Sequence, residues 1–281
     1  MAATRSADMR TPDQLREHYE IERELASRLR QCAPHERLRL YASTYDELFR
    51  RVAHHPMLLR KKDPEATRSA IMSQLRLIRG FLRPDTHFLE IGPGDCSLSL
   101  AVAREVQQVY AVDVTELISS SAARPANFQL ILSDGISIPV PQGAVTVAFS
   151  NQLMEHLHPD DALEQLRNVY KALGHGGVYV CITPNALSGP HDISRGFDRV
   201  ASGFHLKEYT NGELYALFVQ VGFSKVRAMV SVRGRSTLLP VWVCRIAEWL
   251  VHRLPHPFSR ELAGRLPLRL FLGIQMIGYK A

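Results

Sequence analysis

The sequence predicts an α/β fold, a mostly parallel sheet with helices on both faces, preceded by a helical N-terminal extension. Three observations carry this. From Thr11 to about Leu82 glycine is scarce and apolar residues recur at three- and four-residue spacing, the period of amphipathic helices. After Pro84 short runs of Val, Ile, Leu and Phe alternate with helical stretches, the pattern of βα units. The chain has 281 residues, 46% hydrophobic and 22% charged, which suits roughly two domains or one large α/β unit and excludes disordered or collagen-like chains.

After a polar, flexible stretch over residues 1–10, the first helix opens at Thr11. Thr11 is an N-cap, Pro12 takes the first helical position and Gln14 completes a capping box. A second helix runs from about Pro34 to Val52 and stops at His54, His55 and Pro56. The third starts at Asp63, an N-cap before Pro64 and Glu65, and carries Ile71, Leu75, Ile78 and Leu82 as a stripe. Strands follow at His87–Ile91, Gln108–Asp113, Phe128–Leu132, Val145–Ser150 and Val178–Thr183, with helices at Ser97–Val106, Asp160–Leu173 and Asn211–Val221. Two further strands, near Lys225–Val232 and Leu270–Tyr279, close the sheet. Between them Thr237–Leu266 reads as a helical insertion rich in Leu, Val, Trp and Arg.

The net charge of +6 attracts phosphates, anionic lipids or acidic substrates without defining the fold. The four cysteines, Cys32, Cys96, Cys181 and Cys244, lie far apart with no zinc-ligand spacing, so a reducing compartment and no structural zinc are expected. Met1–Arg10 has no apolar stretch and no segment reaches membrane-spanning length. The expectation is a soluble, cytoplasmic protein.

The chemistry concentrates at Phe88-Leu89-Glu90-Ile91-Gly92-Pro93-Gly94-Asp95-Cys96, a strand that turns through two glycines into a helix. Glycines there allow a tight turn and let a ligand lie against the main chain. Asp113 ends the next strand, where a carboxylate can take both hydroxyls of a ribose, and Asp134 in Ser133-Asp134-Gly135 follows the third. Acidic side chains at the C-terminal ends of successive parallel strands converge on one crevice, the usual ligand position in such sheets.

This order resembles the class I S-adenosylmethionine-dependent methyltransferases, with a ubiquinone-pathway-like domain. The likeness continues through Ser150-Asn151-Gln152-Leu153-Met154-Glu155-His156-Leu157, Asp161-Ala162-Leu163, Gly176-Gly177 and Ile182-Thr183-Pro184-Asn185. It resumes at Gly203-Phe204-His205-Leu206-Lys207-Glu208-Tyr209-Thr210 and Val221-Gly222-Phe223. The resemblance implies a seven-stranded Rossmann-like sheet over residues 83–281, with residues 11–82 as a helical cap and about 237–266 as the insertion. It implies S-adenosyl-L-methionine as cofactor, with Gly92 and Gly94 beneath its methionine and ribose, Glu90 near its amino group and Asp113 on the ribose. Asp134 and Gly135 would meet the adenine, and Asn151 would line the methionine end. Three positions depart from the family pattern: Cys96 replaces a third glycine, His175 replaces a proline, and Gln152 replaces a glutamate that helps ubiquinone-pathway enzymes hold a divalent ion. With one carboxylate fewer, Glu155 and His156 suit Mg²⁺ poorly, and no required metal is expected.

His156, His191 and His205 are the candidate bases, because histidine titrates near neutrality, and Asp192 and Arg195 are candidate substrate contacts in the polar segment Leu187–Lys207. His156 has a plainer alternative in a hydrogen bond to a neighbouring strand, and the residues of the polar segment have one in turn or capping chemistry around Gly189, Pro190 and Gly203; Lys207 and Glu208 read as solvated. The insertion either packs on its own domain or on a second copy as a homodimer, caps an apolar substrate, or makes peripheral membrane contact through 237–253. The N-terminal helices either cover the crevice or pair with another subunit. Their basic clusters, Arg28 to Arg39 and Arg60-Lys61-Lys62, lack the aromatic interleaving of a nucleic-acid surface. The expected reaction is methyl transfer to an oxygen of a small metabolite, glycan or lipid-linked acceptor. The alternatives are transfer to nitrogen or RNA, or a cofactor-binding scaffold without turnover.

Overall fold

The computed structural model describes residues 10–60, 64–116, 123–232, 235–255 and 258–281. The expected flexible N-terminus (apart from Arg10), the Asp63 cap and Lys61-Lys62 lie outside the described residues, as does Arg233, which precedes the expected insertion. Helix α1 (Pro12–Gln31) begins at the expected capping box: Gln14 N–H donates to Thr11 Oγ1 at 3.2 Å, and Thr11 N–H donates to Gln14 Oε1 at 2.9 Å. Helix α2 (Pro34–Arg51) follows, then a short α3 (Pro56–Arg60) and α4 (Pro64–Ile78).

The sheet contains β1 (His87–Ile91), β2 (Gln108–Asp113), β3 (Phe128–Leu132), β4 (Val145–Asn151), β5 (Leu173–Thr183), β6 (Lys225–Val232), β7 (Arg235–Pro240) and β8 (Ile274–Tyr279), in the order β3-β2-β1-β4-β5-β8-β6-β7. Strands β1 to β5 pair in parallel, β8 is antiparallel to both β5 and β6, and β7 is antiparallel to β6. The remaining helices are α5 (Ser97–Val102), α6 (Pro159–Ala172), α7 (Asn211–Val221), α8 (Val241–His252), α9 (Phe258–Ala263) and α10 (Leu268–Leu272).

Among the described residues the sheet thus has eight strands, not the expected seven. The extra one, β7, occupies residues assigned in part to the helical insertion, where Thr237 pairs with Val230 and Leu238 with Met229. Pro240 ends this edge strand, a position where a missing N–H breaks no interior ladder. The helix expected over Ser97–Val106 stops at Val102, and the last strand begins at Ile274 because Leu268–Leu272 is helical. Strand β5 also starts earlier than expected, at Leu173.

Alternation along the strands feeds two cores. Phe88, Val109, Ala111 and Phe149 pack with Ile78, Leu98 and Val102 on one face. Leu89, Ile91, Val112 and Ala148 face the other, with Leu25, Leu29, Tyr41 and Leu48 of the N-terminal helices and Leu166, Leu214 and Phe218. The N-terminal helices therefore contribute to a main core. Their deepest tie is polar: the buried Arg37 guanidinium meets both Asp161 oxygens, Nε–Oδ2 at 2.5 Å and Nη2–Oδ1 at 3.1 Å, and Tyr41 O–H donates to Oδ2 at 2.7 Å. Tyr41 Oη in turn accepts from His158 N–H at 3.0 Å.

Asp161→Ala would leave the Arg37 charge buried without a partner, so it is expected to lower the unfolding free energy by about 3–5 kcal/mol, read from the urea midpoint. Adding Arg37→Leu should recover part of that loss; a single-variant loss below about 1 kcal/mol would show that the pair does not hold the helices down.

Candidate active site

A cavity of about 1390 Å³ opens at the C-terminal ends of β1, β2 and β4, where the strand order reverses, and α1 and α2 form its roof. Such switch points leave a crevice that no crossover helix fills. Glu90, Gly92, Gly94, Asp113, Gly135 and Asn151 all line it.

The floor is built by backbone geometry. Gly92 (φ 67°) and Gly94 (φ 57°) adopt left-handed conformations, and a Cβ on Gly92 would come within 3.0 Å of Leu153. Cys96, at the position of the missing third glycine, is itself left-handed with φ 60°. A cysteine there bears a conformational cost of about 1 kcal/mol that glycine avoids. Gln152 is likewise left-handed with φ 58°.

The carboxylates differ in how they are satisfied. Asp113 Oδ2 accepts from Gly94 N–H at 3.1 Å and Oδ1 from Val114 N–H at 2.7 Å, which fixes the side chain at the lip of the cavity. Burial raises its pKa. Glu90 is buried with Ser99 O–H as a donor, and burial pushes its pKa up to about 8. A carboxyl held in that state favours a cation beside it. Asp134 is placed differently from the expectation: its oxygens accept from Ile136 N–H (2.9 Å), Ser137 N–H (2.7 Å) and Ser137 O–H (2.8 Å), closing its own turn, while Ser133 and Gly135 line the cavity.

Histidines occupy the other end. His156, His191 and His205 all line the cavity, with Asp192 and Arg195. His156 Nδ1–H donates to Phe204 O at 3.1 Å, and burial, reinforced by His205, pushes its pKa down to about 3. His191 is tied down by its loop: Nε2 lies 3.2 Å from Asn185 O and 3.0 Å from Ser188 Oγ, and burial lowers its pKa. For His205 burial alone would act the same way. Its Nδ1, however, lies 2.7 Å from Glu208 Oε1, and with Glu155 and Asp192 nearby the net pKa is raised.

Glu208, expected in solvent, is buried and also accepts from His191 N–H at 2.6 Å. Lys207 behaves more as expected, half-buried and paired with Glu213 at 2.6 Å. Asp192 organises the loop, with Oδ2 accepting from Gly203 N–H at 2.9 Å and Oδ1 from Ser194 N–H at 3.0 Å. The departure at His175 is solvent-exposed.

Sequence reasoning allowed the N-terminal helices to cover the crevice but named none of the residues they bring to it. His18, Glu22, Tyr45, Phe49 and His55 line the cavity, and Glu22 Oε1 accepts from Phe204 N–H at 2.8 Å. The signal was present: Glu22 falls on the apolar stripe of α1 between Tyr19 and Leu25, and His18 pairs with it at 2.9 Å.

Among the described residues two groups bring three potential metal donors within 4.8 Å of one another: His18, Glu22 and His55, and Glu155, His156 and His205. In the first, the two His18 nitrogens already face Arg10 and Glu22. In the second, Glu155 keeps one oxygen without a partner while Thr183 O–H donates to the other at 2.8 Å. One carboxylate and two imidazoles differ from the oxygen-rich set that Mg²⁺ takes.

Residues 89–181 match the family model described as a methyltransferase domain. No curated relative matches the chain by sequence. Among solved structures, a chain in the complex with the Haloferax volcanii Trm112 methyltransferase activator aligns at TM-score 0.55 and 13% identity, covering 78% of this chain and 93% of that one. A phosphoethanolamine N-methyltransferase of Haemonchus contortus aligns at 0.51 and 15%, covering 74% and 52%. A Thermotoga maritima S-adenosylmethionine-dependent methyltransferase aligns at 0.50 and 14%, covering 86% and 96%. At such identities the likeness is one of fold. The family match falls on the strands and glycine turn that build the crevice, so residues 89–181 are similar to a methyltransferase domain, and the chain shares the fold of S-adenosylmethionine-dependent methyltransferases.

Proposed function

We propose that this enzyme methylates an oxygen of a small metabolite, glycan or lipid-linked acceptor, with His205 taking the acceptor's proton. The observation that carries this reading is the buried His205–Glu208 pair, which lines the same cavity as Gly92 and Asp113. Glu208 fixes the proton on Nδ1, leaves Nε2 as the acceptor nitrogen and stabilises the imidazolium that forms. His156 is too weak a base for this role, and the Nε2 of His191 faces a backbone carbonyl.

S-adenosylmethionine supplies an activated methyl group on a sulfonium, so the chain has mainly to align the reactants and remove a proton. The residues fit it. The left-handed Gly92–Gly94 turn leaves room against the main chain, Glu90 awaits a cation such as the amino group, and Asp113 presents oxygens for the ribose hydroxyls. Asp134 serves its own turn, so Ser133 and Gly135 are the residues left to meet the adenine. Asn151 lines the methionine end, while Asp192 shapes the acceptor wall and Arg195 contributes a cation to it.

Calorimetry with S-adenosylhomocysteine, using a nicotinamide dinucleotide as the control, tests the cofactor assignment. Asp113→Ala is expected to weaken binding at least about tenfold, since hydrogen bonds to a charged group contribute about 1.5–3 kcal/mol; an unchanged Kd would overturn the pose. Glu90 must lose its proton to meet the ligand's ammonium, so between pH 6 and 8 wild-type affinity should rise at least about fivefold. Glu90→Gln should abolish that rise.

The base is tested with labelled S-adenosylmethionine on an acceptor found by screening phenolic, glycan and lipid-linked hydroxyl compounds. His205→Ala should lower kcat by about 10²–10⁴ without weakening S-adenosylhomocysteine binding. Because the raised His205 pKa marks the loss of its proton, the rate should rise with pH to a plateau above it. Glu208→Gln should move that inflection to lower pH; an unmoved inflection would assign the proton elsewhere.

A further inference from the structure

Helix α8 packs on the domain through Val241, Cys244, Ala247 and Val251. Its carboxylate Glu248 is also buried, accepting from Asn185 Nδ2 at 2.8 Å, Asn211 Nδ2 at 3.0 Å and Gly212 N–H at 3.2 Å. The helix is therefore firmly seated, yet its opposite face is apolar and open. Trp242 is 60% exposed, Trp249 53%, Ile246 50% and Leu250 50%. These are the only two tryptophans of the chain.

The surrounding charge is one-sided. From Arg235 to Arg269 the sequence holds six arginines and two glutamates, with no lysine or aspartate, a net of 6 − 2 = +4 out of the chain's +6. Glu248 is buried and Glu261 pairs with Arg265. Arg245 and Arg253 stand exposed beside the apolar face, the Arg253 guanidinium 3.9 Å over the Trp249 ring.

We propose that this face of α8 docks on an anionic lipid bilayer, with Trp242, Ile246, Trp249 and Leu250 entering the interface and Arg245 and Arg253 meeting the headgroups. Tryptophan and arginine around a short apolar stripe are the composition of an interfacial helix, which lies in the membrane plane. With 12 residues α8 is too short to cross, and no described helix is long and apolar enough to do so. The charge favours lipid over a second copy: a two-fold dimer through this face would set arginines near arginines, with no exposed carboxylate on α8 to pair them. Nucleic acid would use the arginines but leave Ile246 and Leu250 without a role. This inference is independent of the methyl-transfer reading.

The full chain carries its own probe, since both indoles sit on the docking face. Vesicles of mixed phosphatidylglycerol and phosphatidylcholine are expected to shift tryptophan emission to the blue and to carry the protein down on sedimentation; vesicles of phosphatidylcholine alone should do so at least about tenfold more weakly. Ile246→Asp with Leu250→Asp should abolish both signals, and Arg245→Glu with Arg253→Glu should lower partitioning to the anionic vesicles at least about tenfold. All four side chains are exposed, so circular dichroism and Tm should match wild type, which separates lost docking from lost folding. Unchanged emission and a protein that stays in the supernatant would overturn the proposal. So would a blue shift that tracks protein concentration and dimer mass by light scattering, or single-stranded RNA, without vesicles.

Discussion

The roof of the cavity is tied to the domain by one buried ion pair. Arg37 on α2 and Asp161 at the start of α6 tie the N-terminal helices to the domain over the cavity. On its own such a pair contributes little net stability, because two desolvated charges repay their burial only when every remaining lone pair and proton is used. Here Tyr41 supplies the extra hydrogen bond and passes the restraint on to His158. The pair thus sets where the roof sits rather than how strongly the chain folds.

A second set of polar ties closes the roof on the other side. Arg30 donates to the carbonyls of Ser202 and Gly203 at 2.9 Å and of His205 at 3.1 Å, while Glu22 accepts from Phe204 N–H. The loop that carries His205 is therefore gripped along its backbone by α1. Its side chain is held separately, by Glu208. Two independent restraints on one residue give His205 a single rigid placement, as the proposed proton transfer requires, whereas a histidine on an unrestrained loop would sample many positions.

The parts of the fold legible in the sequence were those set by local rules. The α1 capping box and the α7 boundaries follow from side chains a few residues apart, and the strands from runs of apolar residues bounded by turns. Strand β7 was not legible, because a six-residue segment with four exposed positions has no burial pattern of its own and exists through pairing with β6. The site divides in the same way. Gly92, Gly94 and Asp113 lie on one strand–turn–helix unit and its neighbour, so their order along the chain already implies their meeting. Glu208 looked solvated because its partners His205 and His191 are assembled by a loop whose path depends on α1. Asp134 shows the opposite case: its carboxylate in Ser-Asp-Gly accepts from the N–H groups of its own turn, a local arrangement that the sequence leaves open beside a ligand role.

Glu248 shows how the insertion joins the catalytic domain. Its carboxylate caps the N-terminus of α7 and also holds Asn185, the residue that ends the turn leaving β5 and whose carbonyl faces His191. One buried side chain of α8 thus braces both α7 and the loop that carries His191. That bracing accounts fully for the inward face of α8 and places no demand on the outward one. Two tryptophans on the unused face, where polar side chains would have kept the surface wet at no cost to packing, therefore require a separate physical reason, and an amphipathic surroundings of apolar depth and anionic charge is the one that their arginine neighbours match.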